Sequence, residues 1–252
     1  MFGLYIARAG IFLQILVLFR GFIAANLRRF PFFYTYIASI TAAALIGYHI
    51  YATEPNRWGS FFWPAQFITL LVGCGLVLEI FSHVLAAYPG ASQFAKRFCY
   101  ITFGLIFAYA LVYIIISGPG SLANSEIALE RNVRAAQILL FCVIVGSILH
   151  YGLELDQNMR GMMLGYGLYL GTSVVSLALR FYFGEKADVW RTIQPVSFDL
   201  SLLIWLIALW NYRPNPAPTR DAGLETDYDV LVGLTRTGVR VLREHLGRSA
   251  RG

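Results

Sequence analysis

Residues 61–89 read FFWPAQFITLLVGCGLVLEIFSHVLAAYP, and this stretch decides the fold. It opens with an aromatic cluster and Pro64 and runs apolar for about five turns of helix. It then sets Glu79 and His83 one turn apart. That length of apolar sequence reads as a membrane-spanning helix. Ionisable groups at bilayer depth are costly and seldom face lipid. Glu79 and His83 are therefore expected to turn towards protein or headgroups.

The rest of the chain has the same character. A soluble domain carries roughly 25% charged residues. Here 13% of 252 residues are charged, 58% are hydrophobic and the mean hydropathy is +0.61. The pattern is that of a polytopic membrane protein. The net charge of +6 is then to be read by side of the membrane, not as a footprint for nucleic acid. Cys74, Cys99 and Cys142 are isolated in apolar runs with no CxxC, so a disulfide framework or thiolate zinc site is not expected.

Working outward from 61–89, the preceding span is Pro31 to Tyr51, opened by Pro at a favourable helix start and bracketed by aromatic residues. Met1 to Leu27 is ambiguous. Its charge-free core, Ala9 to Phe19, is too short to span unless Arg8 or Arg20 snorkels. A cleaved signal peptide and a surface helix are the rival readings, the first opposed by Arg20, Arg28 and Arg29 where a cleavage site would lie. After the central stretch, YPGASQFAKR reads as a turn, Phe98 to Ser117 as the fourth span and Ala135 to Leu153 as the fifth. Leu122 to Arg134 reads as an amphipathic lead-in, with Glu130 and Arg134 forming a solvent-exposed turn. Met162 to Phe183 is the sixth span. Gly161, Gly165, Gly167 and Gly171 give it small-residue faces suited to close helix packing. Phe198 to Tyr212, extended back towards Pro195, is the seventh.

The expected organisation is thus all-α. Residues 1–212 form a seven-helix membrane bundle, 213–227 a Pro-rich linker and 228–252 an amphipathic cytoplasmic helix. In that helix Leu231, Leu234, Val241 and Leu242 share one face, and Arg236, Arg240 and Arg243 lie towards others. It rests on anionic headgroups or docks a cytoplasmic partner. With the C-terminus inside, thirteen basic residues fall on the inner side and seven on the outer. This obeys the positive-inside rule and places the N-terminus outside, in the plasma (inner) membrane.

Two groups of polar residues stand out. On the inner side Glu79 and His83, and His150 and Glu154, are two i,i+4 pairs at similar depth. They suit proton handling, a divalent metal, or a haem between His83 and His150; the plainer reading is hydrogen bonding that locks helices. On the outer side His49, Arg180 and Asp199 sit near helix ends. Arg180 and Asp199 would pair across the last two spans, or line a shallow ligand pocket. No GxxxxGK[ST], HExxH or GxSxG occurs, and no Lys lies in the last span to carry a retinal Schiff base. The layout looks like the seven-helix input regions of bacterial sensors, a likeness of architecture that carries no residues across. The functional expectation is a sensory, regulatory or scaffolding subunit without catalysis of its own. A proton-coupled or small-solute transporter and a haem or metal redox protein are the alternatives.

Overall fold

The computed structural model describes residues 2–24, 26–117, 122–183 and 188–210, with 226, 227, 229, 230, 232, 233 and 237 of the tail. Among them the chain forms seven α-helices and no strand. These are α1 (Phe2–Ile23), α2 (Pro31–Thr53), α3 (Trp58–Val84), α4 (Pro89–Ser117), α5 (Leu122–Tyr151), α6 (Gln157–Phe183) and α7 (Asp188–Ala208). Short 3-10 turns at Asn26–Arg28 and Pro55–Arg57 flank α2. Among the described residues, four stretches are long and apolar enough to cross a membrane: Tyr5–Ile23, Pro31–Thr53, Pro55–Val84 and Leu129–Tyr151. The chain is a helical membrane protein, and Tyr5–Ile23 belongs to one continuous first helix.

Helix α1 packs between α2 and α7, and α7 lies along α6 in the broadest helix–helix contact of the bundle. Helix α3 meets α2, α4, α5 and α6, while α4 rests against α3 and α5. The interior is aromatic and aliphatic. Phe33 and Trp205, both fully buried, meet edge-on with centroids 5.1 Å apart, and Tyr166 receives Tyr36 and Phe141 the same way. The outside is as apolar as the inside: Ile116, Leu149, Phe22 and Ile207 are each more than 70% exposed. Water would not tolerate so much uncovered hydrocarbon, whereas acyl chains do.

Several boundaries differ from the sequence expectation, those of α4 and α7 the most. YPGASQFAKR is not a turn, because α4 begins at Pro89 and carries Lys96 and Arg97 within its first three turns. Proline is tolerated in a first turn because its missing N–H has no helical acceptor there. Helix α7 begins ten residues before Phe198 and contains Pro195, which lies within its second and third turns. It ends at Ala208 rather than Tyr212.

The glycines of α6 divide between partners. A Cβ on Gly161 would stand 2.0 Å from the Ala208 Cβ, and one on Gly165 would stand 2.4 Å from the Trp205 Nε1. Both positions therefore let α7 approach closely. Gly167 lies against the Phe141 ring of α5, at 2.8 Å from such a Cβ, and Gly171 meets open space. The Trp205 indole is pinned by its Nε1–H, which donates to the Met162 carbonyl at 3.0 Å. It cannot move aside without breaking that bond. Gly165→Ala is expected to cost about 1–3 kcal/mol by overpacking, and Gly171→Ala to be neutral. Paired SDS-denaturation curves in mixed micelles would check this; equal midpoints for the two variants would refute it.

Candidate functional site

The ends of the bundle differ. At the end where α2 begins and α3 finishes, helix termini are tied across the structure. Proline at position 31 leaves α2 one fewer N–H to satisfy, and the preceding residue, Phe30, has no side chain able to cap. The Phe30 N–H donates to the Asn26 carbonyl at 3.0 Å. The next two donors go to another helix: the Phe32 and Phe33 N–H groups donate to the two Glu79 carboxylate oxygens at 3.1 and 2.8 Å. An anion is well placed at a helix N-terminus, where the dipole and free N–H groups converge. Glu79 is thus a cap supplied from α3, buried with 5% of its surface exposed.

Helix α7 is finished in the same manner. The Arg20 guanidinium donates through Nε to the Trp210 carbonyl at 2.8 Å and through Nη2 to the same oxygen, and lies over the Trp210 ring at 4.9 Å. The fully buried Asn26 donates to the Leu209 carbonyl at 3.4 Å. At the start of α6, Asp156 accepts the Met159 N–H and so caps its own helix. Burial raises the Asp156 carboxyl above its ordinary range, while the Met159 N–H and the charges of His83 and Arg160 pull it back down. Asn158, the second residue of α6, is fully buried with neither amide atom partnered.

Of the four inner-side residues singled out above, Glu79 and His83 share this end but not a side-chain bond. The His83 Nδ1 lies 2.9 Å from the Glu79 backbone carbonyl, and its ring stands 5.0 Å from that of Phe30. His150 is exposed and meets the Tyr151 ring at 4.7 Å; Glu154 is exposed in the α5–α6 loop. No bond or ring contact joins His150 or Glu154 to Glu79 or His83. No group of three or more His, Cys, Asp or Glu side chains able to hold a metal ion occurs among the described residues.

Midway along the bundle lies a charge that the sequence reading put in solvent. Arg134 is buried, with 6% of its surface exposed. Its guanidinium pairs with Glu130 at 2.8 Å, donates to the Tyr169 hydroxyl at 2.9 Å and stands 5.3 Å from the Tyr169 ring centroid. The i,i+4 spacing correctly joins Glu130 to Arg134; it does not say that α6 covers the pair. Below it Gln137 donates to the Cys74 sulfur at 3.8 Å, and the Tyr166 hydroxyl donates to the Gly73 carbonyl at 3.4 Å.

The opposite end of the bundle is open. Residues 6–14 of α1, the last three turns of α2, Trp58 at the start of α3 and residues 195–199 of α7 surround a cavity of about 350 Å³. Of the lining residues, Gln14, Tyr48, Tyr51, Trp58 and Asp199 carry polar side-chain atoms. Of the outer-side residues expected from sequence, Asp199 lines the cavity, His49 is exposed on the outside of α2, and the Arg180 side chain lies outside the described residues. So do Arg236, Arg240 and Arg243 of the tail. Gln14 was not legible as a site residue, because a lone amide in an apolar run carries no spacing signal. No family model, no curated protein and no solved structure matches the chain.

Proposed function

We propose that the chain is a sensory or regulatory membrane protein that acts through partners. In this reading it has seven spans in the plasma (inner) membrane, the N-terminus outside and the C-terminus in the cytoplasm. The basic residues support that orientation, since Arg20, Arg28, Arg29 and Arg160 gather at the tied end and the cavity opens at the other.

The observation that carries the proposal is the course of α7. Its first half lines the open cavity through Pro195, Phe198 and Asp199. Just past its end, the Leu209 and Trp210 carbonyls are held by Asn26 of the 3-10 turn and Arg20 of α1. The chain then leads from Trp210 into the tail, and Asp227 of that tail accepts the Tyr151 hydroxyl at 3.1 Å. One helix therefore connects a cavity on one side of the bundle to the tail on the other. A rigid element whose two ends meet different surroundings can report occupancy at one end to a partner at the other.

Deletion of residues 224–252 tests the reading. Full-length protein purified in mild detergent is expected to retain a partner that the truncated form loses, while the melting temperature of the bundle stays within about 3 °C. Recovery of the same partners with the truncated form would remove the tail from the mechanism.

A further inference from the structure

We propose that the cavity between α1, α2 and α7 binds a small organic cation, a protonated amine with an apolar or aromatic body. The assignment deepens the sensory reading above and depends on it only for the consequence of binding, not for binding itself. Three observations meet in one place. The Asp199 carboxylate faces the cavity and rests on α1, its Oδ1 2.6 Å from where a Cβ of Gly10 would stand. It has no hydrogen bond or ion pair to any described residue. The Gln14 side chain, 4% exposed, lines the same cavity, and its Oε1 is buried without a donor. The remaining wall is aromatic: Tyr48, Tyr51, Trp58 and Phe198.

An anion and an unpaired acceptor among apolar walls call for a ligand with positive charge and N–H donors. Arg57, on the α2–α3 turn, pairs with Glu54 at 2.8 Å, and no Arg or Lys is among the residues that line the cavity. Aromatic faces around a carboxylate favour an organic ammonium, which cation–π attraction and hydrocarbon contact both hold. A metal ion fits less well. Calcium and magnesium sites draw on several carboxylates, and Asp199 is the single carboxylate among the lining residues. The volume is at the lower end of the range for small-molecule sites and suits a ligand with about ten to fifteen heavy atoms. Gly10 belongs to the site by its size: any side chain there would displace the carboxylate.

The test uses the full-length protein in nanodiscs. Phenethylammonium is titrated against its neutral counterpart 2-phenylethanol, with tryptophan fluorescence and thermal melting as readouts. Phenethylammonium is expected to bind saturably and raise the melting temperature. The alcohol should bind about tenfold more weakly or worse. Asp199→Asn, nearly isosteric, should abolish the difference between the two probes while leaving the melting temperature of the empty protein in place. Trp58→Phe should retain binding but lose the larger part of the fluorescence change. Arg180→Gln should leave amine affinity unchanged. Equal affinity for amine and alcohol, an Asp199→Asn variant that binds the amine as tightly as the wild type, or no saturable binding of either probe would each overturn the assignment. So would amine binding that appears only in Arg180→Gln, since the carboxylate would then already be neutralised. Amine binding with partners indifferent to the 224–252 deletion would leave the site standing and the tail mechanism lost; the reverse result would separate them the other way.

Discussion

Glu79→Ala is expected to destabilise the bundle by about 2–4 kcal/mol, because it strips two N–H groups of their acceptor at a buried helix end. Each orphaned donor costs about 1–3 kcal/mol where no water replaces the lost oxygen, and bilayer depth removes the water. The Phe33 side chain is fully buried, and the donors of Phe32 and Phe33 have no helical carbonyl within reach at the start of α2. Glu79→Gln should fall between wild type and alanine. It keeps one carbonyl oxygen for one of the two N–H groups but turns an NH2 towards the other. It also loses the charge that complements the helix dipole, about 0.3–1 kcal/mol or somewhat more when partly buried. Chemical denaturation in mixed micelles gives the ranking. If glutamine proves as harmful as alanine, the charge and not the pair of hydrogen bonds is what α2 requires. A proton-relay role for Glu79 would predict the opposite pattern: stability indifferent to both substitutions and function lost with either.

The helical membrane character was legible because oil as solvent leaves a simple mark on sequence: long apolar runs, aromatic ends, few charges. The same simplicity hid the site. Glu79 stood out as a charge at depth, yet its partners are two backbone amides 46 and 47 residues away. Backbone donors have no letter in a sequence, so a carboxylate that caps a foreign helix looks like one waiting for a proton or a metal. The His83 spacing was read correctly as one turn, but its ring nitrogen meets the Glu79 carbonyl rather than the carboxylate. Asp199 was visible as an outer-side polar residue, and its carboxylate lies against α1. Only the placement of α1 beside α7 brings Gln14 and Asp199 around one space. That neighbourhood joins the first and last helices of the bundle, and nothing local in either segment announces it. Helix ends were the least legible feature. Pro89 and Pro195 read as punctuation, whereas one opens a helix and the other sits inside one.

Arg134 and Glu130 should respond unequally to substitution, and the inequality tests whether the buried charge organises the bundle. The Arg134 side chain is 7% exposed and that of Glu130 24%. Removing the carboxylate with Glu130→Ala leaves a guanidinium enclosed between α5 and α6 with only the Tyr169 hydroxyl and ring to compensate it. Breaking a buried pair from that side typically costs about 3–5 kcal/mol. Removing the cation with Arg134→Met is milder, about half as much on the same scale, because methionine fills much of the stem volume and Glu130 can turn its carboxylate outward. The double variant Glu130→Leu with Arg134→Met should approach the wild type, since neither desolvated charge remains. A thermodynamic cycle over the four proteins isolates the coupling. Strong coupling with a stable double variant means that the pair sets which faces of α5 and α6 meet. Near-zero coupling would mean that Tyr169, not Glu130, is what holds Arg134, and Tyr169→Phe should then carry the larger loss.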